Sequence, residues 1–183
     1  TKDQDIIKEG DKCYDMFTLN KLINKRKPQT ILEFGCGLST IMMAHSLKCL
    51  EHKYGGYGRK IHVVETSAEW ASKVKACIPE NLTQYIEFTI SPATACLINH
   101  GLAFNHEILP DIIPDFIYLD GPDPNNVSGE INGISFKGKP AIAADILKYE
   151  TLLSPGAMIM IDGRVPNAYF LESQFKYKYK KYW

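Results

Sequence analysis

The sequence predicts an α/β domain with a doubly wound, mostly parallel β-sheet and helices on both of its faces. Five short segments are mostly apolar without regular alternation, and they cover residues 30–34, 60–65, 85–90, 115–120 and 157–162. Most of the segments between them have a helical pattern. Strands of this kind are buried on both faces, as in parallel sheets covered by helices. Ligands of such sheets bind beyond the carboxyl ends of the strands.

The N-terminal part of the chain predicts a helix over residues 4–27. This helix should end before Pro28, because proline lacks the N–H group that a helix needs and restricts the residue before it. We therefore expect residues 1–29 to form an N-terminal helical cap. Residues 30–183 should form a single globular domain, since no linker or internal repeat interrupts them.

Helices and strands alternate through the first half of this domain. After the strand at 30–34 we expect a helix over about 38–50, a strand over 60–65, a helix over 68–78, a strand over 85–90 and a short helix over 93–99. Ser67 is a suitable N-cap for the third helix of the chain, because its hydroxyl can accept a bond from a free backbone N–H.

The second half of the domain predicts two more strands, separated by a long loop and a helix. We expect a loop over 105–114, a strand over 115–120, a loop over 121–140, an amphipathic helix over 141–153, a strand over 157–162, a short helix over 167–175 and a sixth strand over 176–183. A structureless stretch of about 20 residues inside a compact domain is usually functional or mobile. The loop over 121–140 is therefore a candidate substrate loop.

The composition excludes several classes of protein. Lysine plus arginine and aspartate plus glutamate both number 21, so charge alone does not favour nucleic acid or anionic membranes as partners. The five cysteines are scattered and none are spaced as C-x-x-C, which argues against a disulfide framework or a structural zinc site. No apolar run approaches the ~20 residues of a membrane helix. We expect a cytoplasmic protein with reduced thiols.

The segment after the first strand predicts a ligand-binding turn. Gly35-Cys36-Gly37-Leu38-Ser39-Thr40 matches the first two glycines of the dinucleotide fingerprint G-x-G-x-x-G but has Thr40 at the third position. The next strand-end acid, Glu65, follows Gly35 by thirty residues, compared with about 20 in nicotinamide binders. Glu33 precedes the glycines, and a carboxylate there repels a pyrophosphate but attracts an ammonium group. These differences favour an amino-acid ligand.

Four segments together resemble the motifs of class I S-adenosylmethionine-dependent methyltransferases. They are Glu33-Phe-Gly-Cys-Gly-Leu-Ser-Thr40, Val63-Val-Glu65, Asp115-Phe-Ile-Tyr-Leu-Asp-Gly121 and Leu153-Ser-Pro-Gly-Ala-Met-Ile-Met-Ile-Asp162. The pattern is most similar to small-molecule methyltransferases, including sugar O-methyltransferases. The resemblance implies a Rossmann-like fold. It also implies a shortened C-terminal part of the sheet, because no sequence remains for the seventh, antiparallel strand of this family.

The resemblance implies S-adenosylmethionine as cofactor and assigns residues to it. Glu33, Gly35 and Gly37 would hold the methionine part, with Ser39 and Thr40 at the helix N-terminus. Glu65 would accept hydrogen bonds from the ribose, Thr66 would lie beside the adenine, and Ser91 would take the place of an acid that contacts the adenine amine in many relatives.

On the same resemblance, the acceptor is a hydroxyl group of a small molecule and the reaction needs a general base. Asp120 and Asp123 are the candidates for this catalytic role. Some relatives bind a divalent cation through acids at the ends of the fourth and fifth strands, and Asp120 and Asp162 match those positions. Oxygen ligands suit Mg²⁺. Gly163, however, stands where those relatives have a further ligand.

Two other functions remain open from the sequence. One is a nucleotide-binding oxidoreductase of the same sheet class, and the other is a non-catalytic binding module with a methyltransferase-like fold. In the leading interpretation the partner is a small-molecule acceptor, and neither a membrane nor a nucleic acid is expected. The sequence leaves the oligomeric state undetermined, with a homodimer among the alternatives.

Overall fold

A computed structural model of the chain describes residues 10–182. The helices are α1 (Gly10–Arg26), α2 (Leu38–Tyr54), α3 (Ala68–Cys77), α4 (Ile146–Tyr149) and α5 (Val165–Gln174). The strands are β1 (Thr30–Phe34), β2 (Lys60–Glu65), β3 (Ile86–Ile90), β4 (Ala93–Ile98), β5 (Gly101–His106), β6 (Phe116–Leu119), β7 (Val127–Ser128) and β8 (Met158–Ile161). Short 3₁₀ helices cover Glu80–Tyr85, Pro124–Asn126 and Glu150–Leu152. No helix in the described range is long and apolar enough to cross a membrane.

Five strands form a parallel sheet in the order β3-β2-β1-β6-β8, which confirms the predicted fold class. The chain proceeds from β1 to β2 on one side, and β6 pairs with β1 on the other. The strand order therefore reverses between β1 and β6, and a crevice opens beyond the carboxyl ends of strands at such a point. Phe34 pairs with Val64 and Leu119, so the ends of three strands meet there.

The sheet is buried by two separate apolar clusters, one on each face. On one face α1 and α2 pack over the sheet; the fully buried members there include Leu19, Ile23, Ile31, Met43, Leu47 and Phe116. On the other face the cluster includes Leu32, Phe34, Phe104, Ile117, Leu119 and Ile146. Neighbouring residues of one strand thus face different clusters. This explains why the strands are apolar without alternation.

The prediction of a short helix over 93–99 is wrong. Residues Ala93–Ile98 form β4, which pairs antiparallel with β5 and, at its start, parallel with β7. The two-residue turn of this hairpin is Asn99-His100, and both residues have positive φ (45° and 69°). Such a turn matches the twist of a hairpin, but its usual signature is Asn-Gly or Asp-Gly. The sequence Asn-His gave no comparable signal.

Two further elements differ from the prediction. The helix expected over 141–153 is reduced to α4 and one 3₁₀ turn, because residues before it are extended: Asn167 bonds both the N–H (2.7 Å) and the carbonyl (3.0 Å) of Ala143. The sixth strand expected over 176–183 is absent from residues 176–182. There, the N–H of Tyr177 donates to the carboxylate of Glu150 (2.9 Å) instead.

Candidate functional site

The turn after β1 is in backbone contact with the residues that follow the end of β6. Gly35 has a φ of 88°, and its N–H donates to the carbonyl of Val64 (2.9 Å). A β-carbon built on Gly35 lies 2.9 Å from the Cα of Gly121, and one built on Gly121 lies 2.4 Å from the Cα of Gly35. Real β-carbons do not approach backbone atoms so closely. The backbones of the two strand ends therefore touch at this point, and both positions need glycine.

Gly37 occupies a different environment from Gly35. A β-carbon built on Gly37 meets no atom within 4 Å, and its φ of 174° is accessible to any residue. Gly37 immediately precedes α2, so the open space beside it lies at the N-terminus of a helix of 17 residues. The first N–H groups of such a helix lack intrahelical acceptors and favour an anion.

Glu33 is fully buried directly beneath this turn. Its two carboxylate oxygens accept hydrogen bonds from the hydroxyls of Ser39 (2.6 Å) and Thr40 (2.7 Å). The Thr40 hydroxyl in turn accepts from the N–H of Gly37 (3.1 Å). Burial raises the pKa of Glu33 to about 8, against the opposing effect of the two hydroxyls. The network joins the end of β1 to the first turn of α2 and so fixes the shape of the turn.

Glu65 ends β2 on the other side of the turn and is 5% exposed. One oxygen accepts from the N–H of Ser67 (2.8 Å) and the hydroxyl of Thr66 (3.2 Å). The other oxygen lies 3.5 Å from the Cys36 sulfur, which donates to it. Burial, and then the Glu65 charge, raise the pKa of the Cys36 thiol well above its usual range. Cys36 is therefore a neutral hydrogen-bond donor and not a nucleophile.

Trp70 in α3 forms a hydrogen bond with the turn after β1. Its indole N–H donates to the carbonyl of Cys36 (2.8 Å), while the side chain is 39% exposed. Sequence reasoning assigned no role to this contact, since Trp70 and Cys36 are 34 residues apart. The turn is thus held by contacts from β2, β6, α2 and α3.

Asp120 and Asp162 follow two neighbouring strands, β6 and β8, and their side chains have different surroundings. Asp120 is exposed, and its backbone N–H donates to the carbonyl of Phe34 (3.1 Å). Asp162 is half-buried, and its carboxylate accepts from the hydroxyl of Tyr118 (2.8 Å). Asp123 is exposed and its carboxylate caps the 3₁₀ turn Pro124–Asn126 by accepting from the N–H of Asn125 (2.8 Å).

An arginine that the sequence did not single out lies among these acids. Nη2 of Arg164 donates to the backbone carbonyls of Asp120 and Pro122, both at 2.9 Å. Burial lowers the pKa of Arg164, and the charges of three carboxylates act in the opposite direction; these belong to Asp120, Asp162 and Asp123. Within residues 10–182 no three side chains of histidine, cysteine, aspartate or glutamate are grouped to hold a metal ion.

Comparison with known proteins identifies the architecture. An O-methyltransferase from Bacillus cereus, solved in complex with SAH (S-adenosylhomocysteine), is similar with a TM-score of 0.55 and 18% identity over 94% of this chain. The O-methyltransferase TomG from Streptomyces achromogenes, involved in tomaymycin synthesis and solved with S-adenosylmethionine, has a TM-score of 0.54 and 14% identity over 94% of this chain. The chain has an O-methyltransferase fold.

The likeness is one of structure and not of sequence. This chain spans 64% of the length of each of those two proteins, which is less than two thirds. No family model matches the sequence, and no curated protein matches it at a significant level. The comparison therefore shows the fold alone, and the argument for a function depends on the side chains described above.

Ser91 and Thr66 lie next to Glu65 in this methyltransferase fold. The N–H of Ser91 donates to the carbonyl of Glu65 (2.9 Å), and Thr66 is half-buried. Ser91 is fully buried, and its hydroxyl accepts from the N–H of Ile108 (2.7 Å). The predicted contacts of both residues with an adenine stay predictions. The contact with Ile108 ties Ser91 to the loop that follows β5.

A buried pair on the β4–β5 side of the methyltransferase fold was also missed. Asp145 is fully buried and accepts from both the backbone N–H and Nδ1 of His106, each at 2.8 Å. The His106 ring stacks on Phe34 with 5.6 Å between ring centroids. Nε2 of His106 is buried and has no hydrogen-bond partner in the described part of the chain. The pair lies behind the turn, on the face opposite α2.

Proposed function

We propose that this protein transfers the methyl group of S-adenosylmethionine to a hydroxyl group of a small molecule. The observation that carries the proposal is the open space beside Gly37, which lies at the N-terminus of α2 and at the reversal of strand order. A ligand with a carboxylate, an ammonium group and a ribose would meet a helix N-terminus and the acids Glu33 and Glu65. The fold of the solved O-methyltransferases supports this assignment.

The residues present fit this cofactor. The methionine carboxylate would meet the first N–H groups of α2, around Ser39 and Thr40, and the absence of a side chain at Gly37 leaves room for it. Glu65 would accept hydrogen bonds from the ribose through the oxygen that now faces Cys36. Thr66 and Ser91 would lie on the adenine side. When bound, the cofactor supplies an electrophilic sulfonium methyl group.

Glu33 has two roles in this proposal. In the free protein its carboxyl group positions the turn through Ser39 and Thr40. With a raised pKa of about 8, the group is largely protonated at neutral pH. A cofactor ammonium group near it would favour the ionised form, since an opposite charge stabilises a carboxylate. Glu33 would then pair with the ammonium group without giving up its place in the core.

Asp120 is the proposed general base for the acceptor hydroxyl. It is exposed, it follows the strand next to β1, and the contact of Gly121 with Gly35 supports a position beside the turn that would hold the cofactor. Asp123 already caps a 3₁₀ turn, so we assign it to positioning the loop over 121–140. Most of the rate enhancement would come from holding the acceptor oxygen in line with the methyl group.

We propose the cytoplasm as the compartment and a small-molecule acceptor as the partner. Cys36, Cys49, Cys77 and Cys96 are free thiols, which suits the reducing conditions of the cytoplasm. The acceptor would enter over the loop of residues 121–140, which contains only one 3₁₀ turn and the two residues of β7 as regular structure.

Calorimetric titration with SAH tests the cofactor assignment. We expect binding with a micromolar dissociation constant, and the Glu65→Gln variant should bind at least about tenfold more weakly because it loses a charge-assisted hydrogen bond to the ribose. Glu87→Gln is a matched control, since Glu87 is largely exposed on β3 and pairs only with His62 (3.7 Å) among the ion pairs of the described residues. Equal affinities for both variants, or no binding by the wild type, would refute the assignment. A screen of hydroxyl-bearing acceptors for SAH release then tests the reaction.

A further inference from the structure

Asp120 and Asp162 follow β6 and β8, where the sequence suggested a metal site, and we call this part of the sheet the acidic edge. The contacts of these residues differ from those of metal ligands. The Asp162 carboxylate already accepts a hydrogen bond from Tyr118, which is fully buried. The guanidinium group of Arg164 lies within electrostatic reach of Asp120, Asp123 and Asp162, and it is anchored by the carbonyls of Asp120 and Pro122. Tyr118 thus donates to one of the two carboxylates that a divalent ion would need, and the positive charge of Arg164 acts on both.

Mg²⁺ requires nearly octahedral oxygen ligands at about 2.0–2.1 Å. Gly163 supplies no side-chain oxygen after Asp162, so water molecules would have to complete the shell of an ion held by Asp120 and Asp162. A divalent ion at this edge would also lie close to a guanidinium group that stays charged at all ordinary pH values. The residues present therefore do not fit the Mg²⁺ that Asp120 and Asp162 suggested in the sequence.

We propose that Arg164 is the resident cation of this edge and that it takes the place of a divalent metal ion. Its charge offsets the carboxylates of Asp120, Asp123 and Asp162. Its two hydrogen bonds hold the backbone from Asp120 to Pro122, and therefore the orientation of Asp120 towards the acceptor. Arg164 is a positioning residue, and methyl transfer proceeds without a divalent ion. That methyl transfer needs no divalent ion rests on the proposed function, whereas the role of Arg164 as the cation at this edge does not.

A geometric reason favours arginine over lysine for this task. A guanidinium group presents several N–H donors in a fixed plane, so one nitrogen can serve two carbonyls while the charge remains near the carboxylates. Lysine has a single ammonium group on a flexible chain and would hold the two carbonyls less firmly. Arg164→Lys should therefore keep the charge but lose part of the positioning.

Thermal unfolding with and without Mn²⁺ tests the proposal directly, since Mn²⁺ uses the same oxygen ligands as Mg²⁺. The EDTA-treated wild type should show no rise in Tm with Mn²⁺. Arg164→Met leaves the acids without their cation, so Mn²⁺ should raise its Tm and bind on the order of tenfold more tightly than to the wild type. The double variant Arg164→Met/Asp162→Asn should lose this response. Arg164→Gln is made in parallel in case the methionine variant does not fold.

Arg59→Met is the matched control. Nη1 of Arg59 also donates to two backbone carbonyls, those of Lys27 and Pro28, but at the opposite end of the sheet. Arg59→Met should resemble the wild type in its response to Mn²⁺. The proposal is overturned if Mn²⁺ stabilises the wild type through Asp162, or if the two Arg164 variants respond to Mn²⁺ no more than Arg59→Met does.

Titration with SAH on the same samples separates this proposal from the proposed function. If no sample binds SAH, the cofactor assignment fails while the Mn²⁺ comparison still decides the role of Arg164. If SAH binds and an acceptor is found, activity of the EDTA-treated wild type should be unchanged. The Arg164→Lys variant should then have a lower kcat with a nearly unchanged dissociation constant for SAH.

Discussion

Gly35 and Gly121 lie in backbone contact across the ends of β1 and β6, and neither position has room for a side chain. A β-carbon on Gly121 lies 2.4 Å from the Cα of Gly35. The turn after β1 and the loop after β6 therefore touch at one point, backbone against backbone. A displacement of the backbone at Gly35 should therefore displace the backbone at Gly121, and the reverse, because no flexible side chain lies between them.

Gly121→Ala should destabilise the protein by about 1–3 kcal/mol, the typical cost of overpacking that forces backbone shifts. Gly37→Ala should cost less than about 1 kcal/mol, because its β-carbon meets no atom within 4 Å and its φ is accessible to alanine. The same Gly37→Ala substitution should abolish SAH binding, since the methyl group enters the proposed cofactor space. Urea denaturation and calorimetry measure the two effects. A Gly37→Ala variant that binds SAH normally would argue against the proposed placement of the cofactor.

Glu33 should make the stability of the protein depend on pH. Its pKa is about 8 in the folded chain and near 4.5 when unfolded, so the folded state holds a proton that the unfolded state has released. The free energy of unfolding should therefore fall as pH rises from about 4.5 to about 8, by on the order of a few kcal/mol. Glu33→Gln cannot ionise and should lack this part of the pH dependence. Urea midpoints at several pH values check it, and parallel curves for the two proteins would contradict it.

Binding of SAH should release a proton near pH 7. The ammonium group of the ligand favours the ionised form of Glu33, whose carboxyl group is largely protonated in the free protein. Calorimetry in two buffers of different ionisation enthalpy should give different apparent binding enthalpies, corresponding to a release of up to about one proton. Glu33→Gln should give the same enthalpy in both buffers. No buffer dependence in the wild type would place the ammonium group away from Glu33.

Asp145 should be a strong determinant of stability. Its removal leaves the backbone N–H and the ring of His106 without their shared acceptor in a fully buried site. We expect Asp145→Ala to lower the free energy of unfolding by about 3 kcal/mol or more. Asp145→Asn keeps one acceptor oxygen and should cost less. Asp111→Ala, at an exposed position, is the control and should stay within about 0.5 kcal/mol of the wild type.

The main sheet and the turn after β1 were predictable because they depend on local sequence, whereas the ligand of that turn stays a prediction. Buried parallel strands appear as apolar runs, and Gly35 and Glu65 stand directly at their ends. The β4–β5 hairpin was not predictable, since Asn99 and His100 adopt positive φ without the glycine that normally indicates such a turn. Hairpins and helices of six residues also differ little in apolar pattern.

Contacts between distant residues explain the rest of what was missed. Arg164 bonds to the carbonyl of Asp120 across 44 positions, and Asp145 bonds to His106 across 39. The sequence pattern gives the type of each residue but not the partner that its side chain reaches. The burial of Asp145 could not be predicted for this reason, because a buried acid is stable only where the fold supplies donors.

The hydrogen bond from Trp70 to Cys36 gives the turn after β1 an intrinsic fluorescent probe. The sequence has two tryptophans, and the other, Trp183, lies outside the described residues. In a Trp183→Phe protein all indole emission would come from a ring bonded directly to the backbone of the turn. Occupancy of the turn could then be followed on the millisecond scale in a stopped-flow instrument, with no label attached to the protein or the ligand.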